Sequence, residues 1–145
     1  MSGDAVILSG MGVVSAAGIG LKASLDSMGA GLRFPGPLTL FDSPLALPVF
    51  EVRAVPPRRD PGRMRTMDLL LLALDEALES AGLSGAPLPR IGVALGTTVA
   101  SQLNDLDFYA AWRSGREAPL DSVDGFLDGN LAESIARRLG SNGPA

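Results

Sequence analysis

Ala5-Val6-Ile7-Leu8-Ser9-Gly10-Met11-Gly12-Val13-Val14 is a nearly continuous apolar run broken by two glycines, and such a run predicts a strand covered on both faces. Burial on both faces belongs to parallel sheets flanked by helices, so this opening constrains all that follows. Arg90-Ile91-Gly92-Val93-Ala94-Leu95-Gly96-Thr97 repeats the pattern and predicts a second buried strand. Two helical patterns separate the runs. After a turn over Ser15 to Gly20, Leu21, Leu25 and Met28 recur at spacings of four and three before Gly29-Ala30-Gly31 stops the helix. Thr66 to Ala81 then predicts a longer helix, with Thr66 as cap and Asp68 in the first turn, where the dipole favours an acid. Its stripe runs through Leu70, Ala73 or Leu74, Ala77 and Ala81, widened by Leu71 and Leu78, and leaves Asp75, Glu76 and Glu79 for solvent. Gly82 ends it. The order strand, helix, helix, strand predicts an α/β fold with right-handed parallel crossovers.

The remaining segments are more irregular. Leu38 to Phe41 and Val49 to Val55 are short apolar pieces among Pro35, Pro37, Pro44, Pro48, Pro56 and Pro57; because proline removes ladder donors, they read as edge hairpins or loops. Ser101 to Trp112 carries Leu103, Leu106, Tyr109 or Ala110 and Trp112 at helical spacing, and Ser114 to Asp128 reads as loop. Asn130 with Glu133 gives a capping-box start to a last helix, striped by Leu131, Ile135 and Leu139 and stopped by Gly140. A helix in a doubly wound sheet returns the chain to another strand, so the expectation is a segment completed by further chain or by a partner. The 18 glycines and 11 prolines among 145 residues suit short elements and exclude a long coiled coil.

Composition limits the chemistry. With no cysteine and no histidine, the chain carries no thiol nucleophile, imidazole base or disulfide, and no zinc site built on those ligands. Serine, lysine and carboxylate chemistry stay open. A net charge of -4 argues against general nucleic-acid binding, and the run Arg58, Arg59, Arg63 and Arg65 reads as solvated surface in preference to a site for an acidic protein or phosphorylated cofactor. Met1 to Asp4 lacks the positive start of an export signal, and no apolar segment reaches the roughly 20 residues of a membrane span. A cytoplasmic protein is the default expectation.

Each chemical lead has a structural counterpart. Gly10-Met11-Gly12 follows a strand as a dinucleotide fingerprint does, but Ser15 occupies the third glycine position, so a structural turn is preferred to a nucleotide site. Lys22, the only lysine, lies on a helix outside any phosphate cradle. Gly96-Thr97-Thr98 ends a strand, where ligands of α/β folds collect, although its hydroxyls also suit local backbone bonds. Asp105 and Asp107 point roughly 200° apart on a regular helix, which disfavours a paired-carboxylate site.

Several segments together resemble one family. Val6-Ile7-Leu8-Ser9-Gly10-Met11-Gly12-Val13-Val14-Ser15-Ala16-Ala17-Gly18 resembles the opening strand and turn of the beta-ketoacyl-acyl-carrier-protein synthases. Phe41-Asp42 resembles that family's next landmark. Met67-Asp68 through Ala73, Glu76-Ala77-Leu78 and Ala81-Gly82-Leu83 resembles its first long helix, and Ile91-Gly92-Val93 with Gly96-Thr97 the succeeding strand and turn. Ile135-Ala136, Leu139-Gly140 and Gly143-Pro144 complete the order. The sequence departs from the pattern at Ser9, Ala16-Ala17, Leu69 and Thr98-Val99-Ala100.

The resemblance implies an incomplete thiolase-like layered α/β fold, with a mainly parallel sheet covered by helices, and residues 1–145 as a partial N-terminal ketosynthase domain ending before the nucleophile strand. It implies condensation of an acyl thioester with malonyl-carrier in fatty acid or polyketide synthesis. The family's cysteine, histidines and lysine lie beyond this segment, so the expectation here is no catalytic, cofactor or metal residue and an inactive isolated chain. Gly96, Thr97, Thr98, Ser101, Leu103, Leu106 and Tyr109 are candidates for an acyl pocket or interface, and Gly10, Gly12, Gly92, Gly143 and Pro144 for structural roles. Implied partners are a downstream ketosynthase segment or complementary subunit in a homo- or hetero-oligomer, and an acyl carrier protein; neither nucleic acid nor membrane is implied. A noncatalytic thiolase-like scaffold or carrier-binding protein and a small nucleotide-binding α/β domain are the alternative readings.

Overall fold

The computed structural model describes residues 5–55, 64–98, 102–118, 120, 123 and 131–145. Expectations on Met1 to Asp4, Pro56 and Pro57, Arg58, Arg59 and Arg63, Val99 to Ser101 and Asn130 lie outside the described residues. The chain divides into two units, one formed by Met1–Pro57 with Leu69–Ser84, the other by Arg58–Asp68 with Gly85–Ala145.

In the first unit, β1 (Val14–Ser15) pairs antiparallel with β2 (Gly18–Ile19), Val14 opposite Ile19. The tight turn is closed by Ala17 N–H donating to Ser15 Oγ at 3.1 Å and Gly20 N–H to the Val13 carbonyl at 2.8 Å. Helix α1 (Leu21–Gly29) follows. Its packed residue is Ser24, 2% exposed, whereas Leu25 and Met28 of the predicted stripe stand 57% and 64% exposed. Small size decides this: a Cβ on Gly18 would lie 2.8 Å from that of Ala23, so the hairpin presses on α1 where the side chains are short. Ser27 Oγ donates to the Ala17 carbonyl at 2.8 Å and strengthens the contact.

Helix α2 spans Arg65–Ser80. The stretch before β1 runs against its Leu69–Ser80 part without any ladder of its own. A Cβ on Gly12 would collide with the Ala73 carbonyl, and one on Gly10 with the Ala77 carbonyl. The two glycines therefore let an extended backbone lie against a helix whose facing residues are Ala73, Ala77 and Ser80. Ser80 Oγ accepts the Met11 N–H at 3.0 Å. The predicted strand over Ala5 to Val14 is thus limited to β1 at its end, and Val6, Ile7 and Leu8 stand 99%, 81% and 75% exposed. With no neighbouring strand among the described residues, their apolar side chains have nothing to pack on.

Glu76 also departs from expectation. It faces the hairpin rather than solvent: its carboxylate accepts Val13 N–H at 2.9 Å and Leu21 N–H at 2.6 Å. Leu21 is the first residue of α1, whose amides have no intrahelical partners. One side chain of α2 thereby caps α1 and anchors the backbone just before β1. Beyond α1 the chain makes a hairpin-like excursion, joined by reciprocal backbone bonds between Gly36 and Val49 at 3.0 and 2.9 Å.

In the second unit, helix α3 (Leu106–Arg113) begins later than the predicted Ser101, after turns over 102–105. Helix α4 (Leu131–Leu139) carries most of the buried apolar side chains: Leu131, Ala132, Ile135, Ala136 and Leu139 are all 9% exposed or less. Glycine ends it as predicted. Gly140, at φ 63°, donates to Arg137 O and Ser141 donates to Ala136 O, the paired bonds of a Schellman stop. The same bond pair follows α1, α2 and α3 at Gly31, Gly82 and Gly115.

Past α4 the backbone runs beside residues 89–93. Asn142 N–H donates to Pro89 O at 3.1 Å and Val93 N–H to Pro144 O at 2.8 Å. These two bonds share one parallel register, in which Ile91 lies opposite Gly143. Two bonds would intervene: one from Ile91 N–H to the Asn142 carbonyl, but Ile91 N–H donates to the Leu88 carbonyl at 3.2 Å, and one from residue 144, where proline has no N–H. Ser141 Oγ donates to the Ile91 carbonyl instead, and a Cβ on Gly143 would collide with that carbonyl. Gly143-Pro144, expected to have a structural role, is therefore part of a parallel pairing. Among the described residues the only hydrogen-bonded sheet that meets full ladder geometry remains β1–β2.

Candidate functional site

The residues predicted for an acyl pocket or interface all belong to the second unit. Gly96, Thr97 and Thr98 follow the segment held in register by Val93, and all are exposed. Gly96 is not in the left-handed region, and among the described residues a Cβ there would meet nothing within 4 Å. Its glycine character is not required by the fold of this chain. Gly92 is nearly as permissive, a Cβ meeting Pro144 at 3.5 Å, ordinary contact.

Helix α3 supplies the apolar part. Leu106 and Tyr109 are 40% and 51% exposed, Leu103 in the preceding turn is 37% exposed, and Trp112 is 66% exposed. The helix turns its small Ala111 inward and leaves its large side chains out. Phe108 and Tyr109 meet edge to face, ring centroids 5.5 Å apart, which orients the phenol. Ser101 lies outside the described residues. Asp105 is buried and Asp107 exposed, so the two carboxylates face different environments and form no pair. The surface offers hydroxyls, aliphatic side chains and aromatic rings, suited to covering an apolar chain or a protein face rather than to nucleophilic chemistry.

In the first unit, Gly10 and Gly12 face helix α2, which occupies the space a phosphate would need beside them. Phe41 and Asp42 line an open hollow of 560 Å³ with Leu45 and Leu47. Sequence reasoning missed Glu76, whose spacing placed it among solvent-facing acids, and a second hollow near β2 described below. No helix among the described residues is long and apolar enough to cross a membrane.

A ketosynthase-like family is the class that sequence similarity supports for this segment. Along 96% of its length the chain is 31% identical to "Granaticin polyketide putative beta-ketoacyl synthase 1" of Streptomyces violaceoruber. It is 29% identical, over 97% of its length, to "Oxytetracycline polyketide putative beta-ketoacyl synthase 1" of Streptomyces rimosus. The chain spans 37% of the length of each of these relatives. No family model matches the chain, and no solved structure matches it.

Proposed function

We propose that this chain is the N-terminal scaffold segment of a polyketide ketosynthase, within a thiolase-like layered α/β fold completed by a downstream segment or complementary subunit. The observation that carries the reading is the similarity to two polyketide beta-ketoacyl synthases over 96% and 97% of this chain, spanning 37% of the length of each. The parallel register of residues 89–93 with 141–145 supports it, because it starts the kind of sheet that such a fold needs. The exposed Val6, Ile7 and Leu8 supply apolar surface for further strands to cover.

In the whole assembly, an acyl group passes from a carrier thioester to a cysteine, and decarboxylation of a malonyl thioester generates the carbon nucleophile that displaces it. This chain contributes no thiol or imidazole. Its part is to hold the sheet and to present α3 and the Gly96 to Thr98 loop toward the acyl chain or a partner face. The test is complementation. Purified chain given carrier-loaded substrates yields no condensation product by mass spectrometry, whereas chain combined with a complementary ketosynthase segment yields product. Turnover by the chain alone, free of contaminating synthase, defeats the proposal; so does a complementary segment that neither binds nor restores condensation.

A further inference from the structure

Arg33 and Arg53 lie 20 positions apart in the sequence, yet both line one open hollow of 430 Å³ in the first unit. Ile19, Phe34 and Val52 give it apolar wall, and Glu51 also borders it. The size falls within the range of small-molecule sites, about 300–1,000 Å³.

The charges in this hollow are unevenly engaged. Glu51 Oε2 accepts Thr39 N–H at 2.9 Å and its Oε1 accepts Thr39 Oγ1–H at 2.6 Å; these neutral donors fix its carboxylate without cancelling its charge, and the two arginines still leave the hollow net positive. Among the described residues neither arginine forms an ion pair. Arg53 is nevertheless held in place. One Nη2–H donates to the Pro37 carbonyl at 3.4 Å, and the guanidinium fills the space where a Cβ on Gly36 would stand. A guanidinium has five N–H donors, so the donors not directed at Pro37 remain available. The chain's net charge is -4, so anion attraction at this point is a local property rather than a general one.

We propose that this hollow is a binding site for a small organic carboxylate with an apolar body. The fork of Arg53 takes the carboxylate, Arg33 adds the second positive charge, and Ile19, Phe34 and Val52 cover the hydrocarbon part. Guanidinium geometry matches a carboxylate in two parallel bonds, and the apolar wall disfavours a bare inorganic anion. The site is independent of the ketosynthase reading and concerns residues remote in sequence from Gly96 and α3.

The test is titration of the full ¹⁵N-labelled chain with hexanoate, hexanol and inorganic phosphate in separate experiments, followed by amide chemical shifts. Hexanoate is expected to shift the Ile19, Phe34 and Val52 amides saturably. Arg53→Gln and, separately, the exposed Arg33→Gln are each expected to weaken hexanoate by about tenfold or more, while Lys22→Gln leaves it unchanged. Equal saturation by hexanol reduces the site to an apolar hollow, and equal saturation by phosphate to a generic anion surface; either overturns the proposal. So does the absence of saturable hexanoate binding, or an affinity unchanged in both arginine variants. Arg33→Gln keeps the question decidable should Arg53→Gln perturb the loop that Arg53 anchors.

Discussion

Replacing Glu76 with alanine removes the carboxylate that accepts Val13 N–H at 2.9 Å and Leu21 N–H at 2.6 Å. A hydrogen bond to a charged group contributes about 1.5–3 kcal/mol when buried. Glu76 is only half-buried, so water partly replaces each bond and the lower end applies. Two bonds at that level give an expected loss of about 2–3 kcal/mol for Glu76→Ala. Glu76→Gln retains one acceptor oxygen but turns an NH₂ toward the other amide, so about half of that loss is expected. The assay is urea denaturation of the full chain, combined with hydrogen exchange at the two amides. Both should exchange faster in the alanine variant, and Leu21 should lead a fraying of the first turn of α1, which has no other cap at Gly20. A loss below about 0.5 kcal/mol, the usual range for a surface substitution, with unchanged protection at both amides refutes the assignment of Glu76 as the anchor of the hairpin.

Gly12→Ala should destabilise by about 1–3 kcal/mol in urea, since its Cβ meets the Ala73 backbone, whereas Gly96→Ala, opening into free space, should stay within about 0.5 kcal/mol. Ile135→Asp places a charge at a position 4% exposed and should lower stability by about 3 kcal/mol or more, seen as a fall in the urea midpoint; an unchanged midpoint removes α4 from the core. Pro144→Ala supplies the N–H absent from the parallel register, and its new amide should be protected from exchange by bonding to Ile91 O; rapid exchange there rejects that register. Gly140→Ala forces a side chain into φ 63° and should cost about 1 kcal/mol by the same denaturation measurement.

Local signals determined where the helices lie and how each one stops, although α3 starts at Leu106 rather than Ser101. The 3.6-residue stripes located α2 and α4, and glycine at the left-handed position stops each helix through bonds made within six residues, so tertiary context adds little. The buried face of α4 was equally readable, because Leu131, Ile135 and Leu139 repeat on one side and nothing polar competes with them. Sequence also set the chemical limits, since a residue type that is missing has no substitute. What sequence left undecided depends on which surfaces meet. Hydrophobicity predicted a buried strand at Val6 to Leu8, but burial requires a neighbour, and none stands there among the described residues. The stripe of α1 failed for the related reason that close approach favours small side chains, so Ser24 is packed while Leu25 stays exposed. Periodicity assigned Glu76 to solvent, but the fold brings two amides 55 and 63 positions away within bonding distance. Arg33 and Arg53 were unremarkable loop residues until a backbone excursion placed both on one hollow. Periodicity records the preferences of one segment; only the tertiary structure decides which distant donor, acceptor or charge that segment will face.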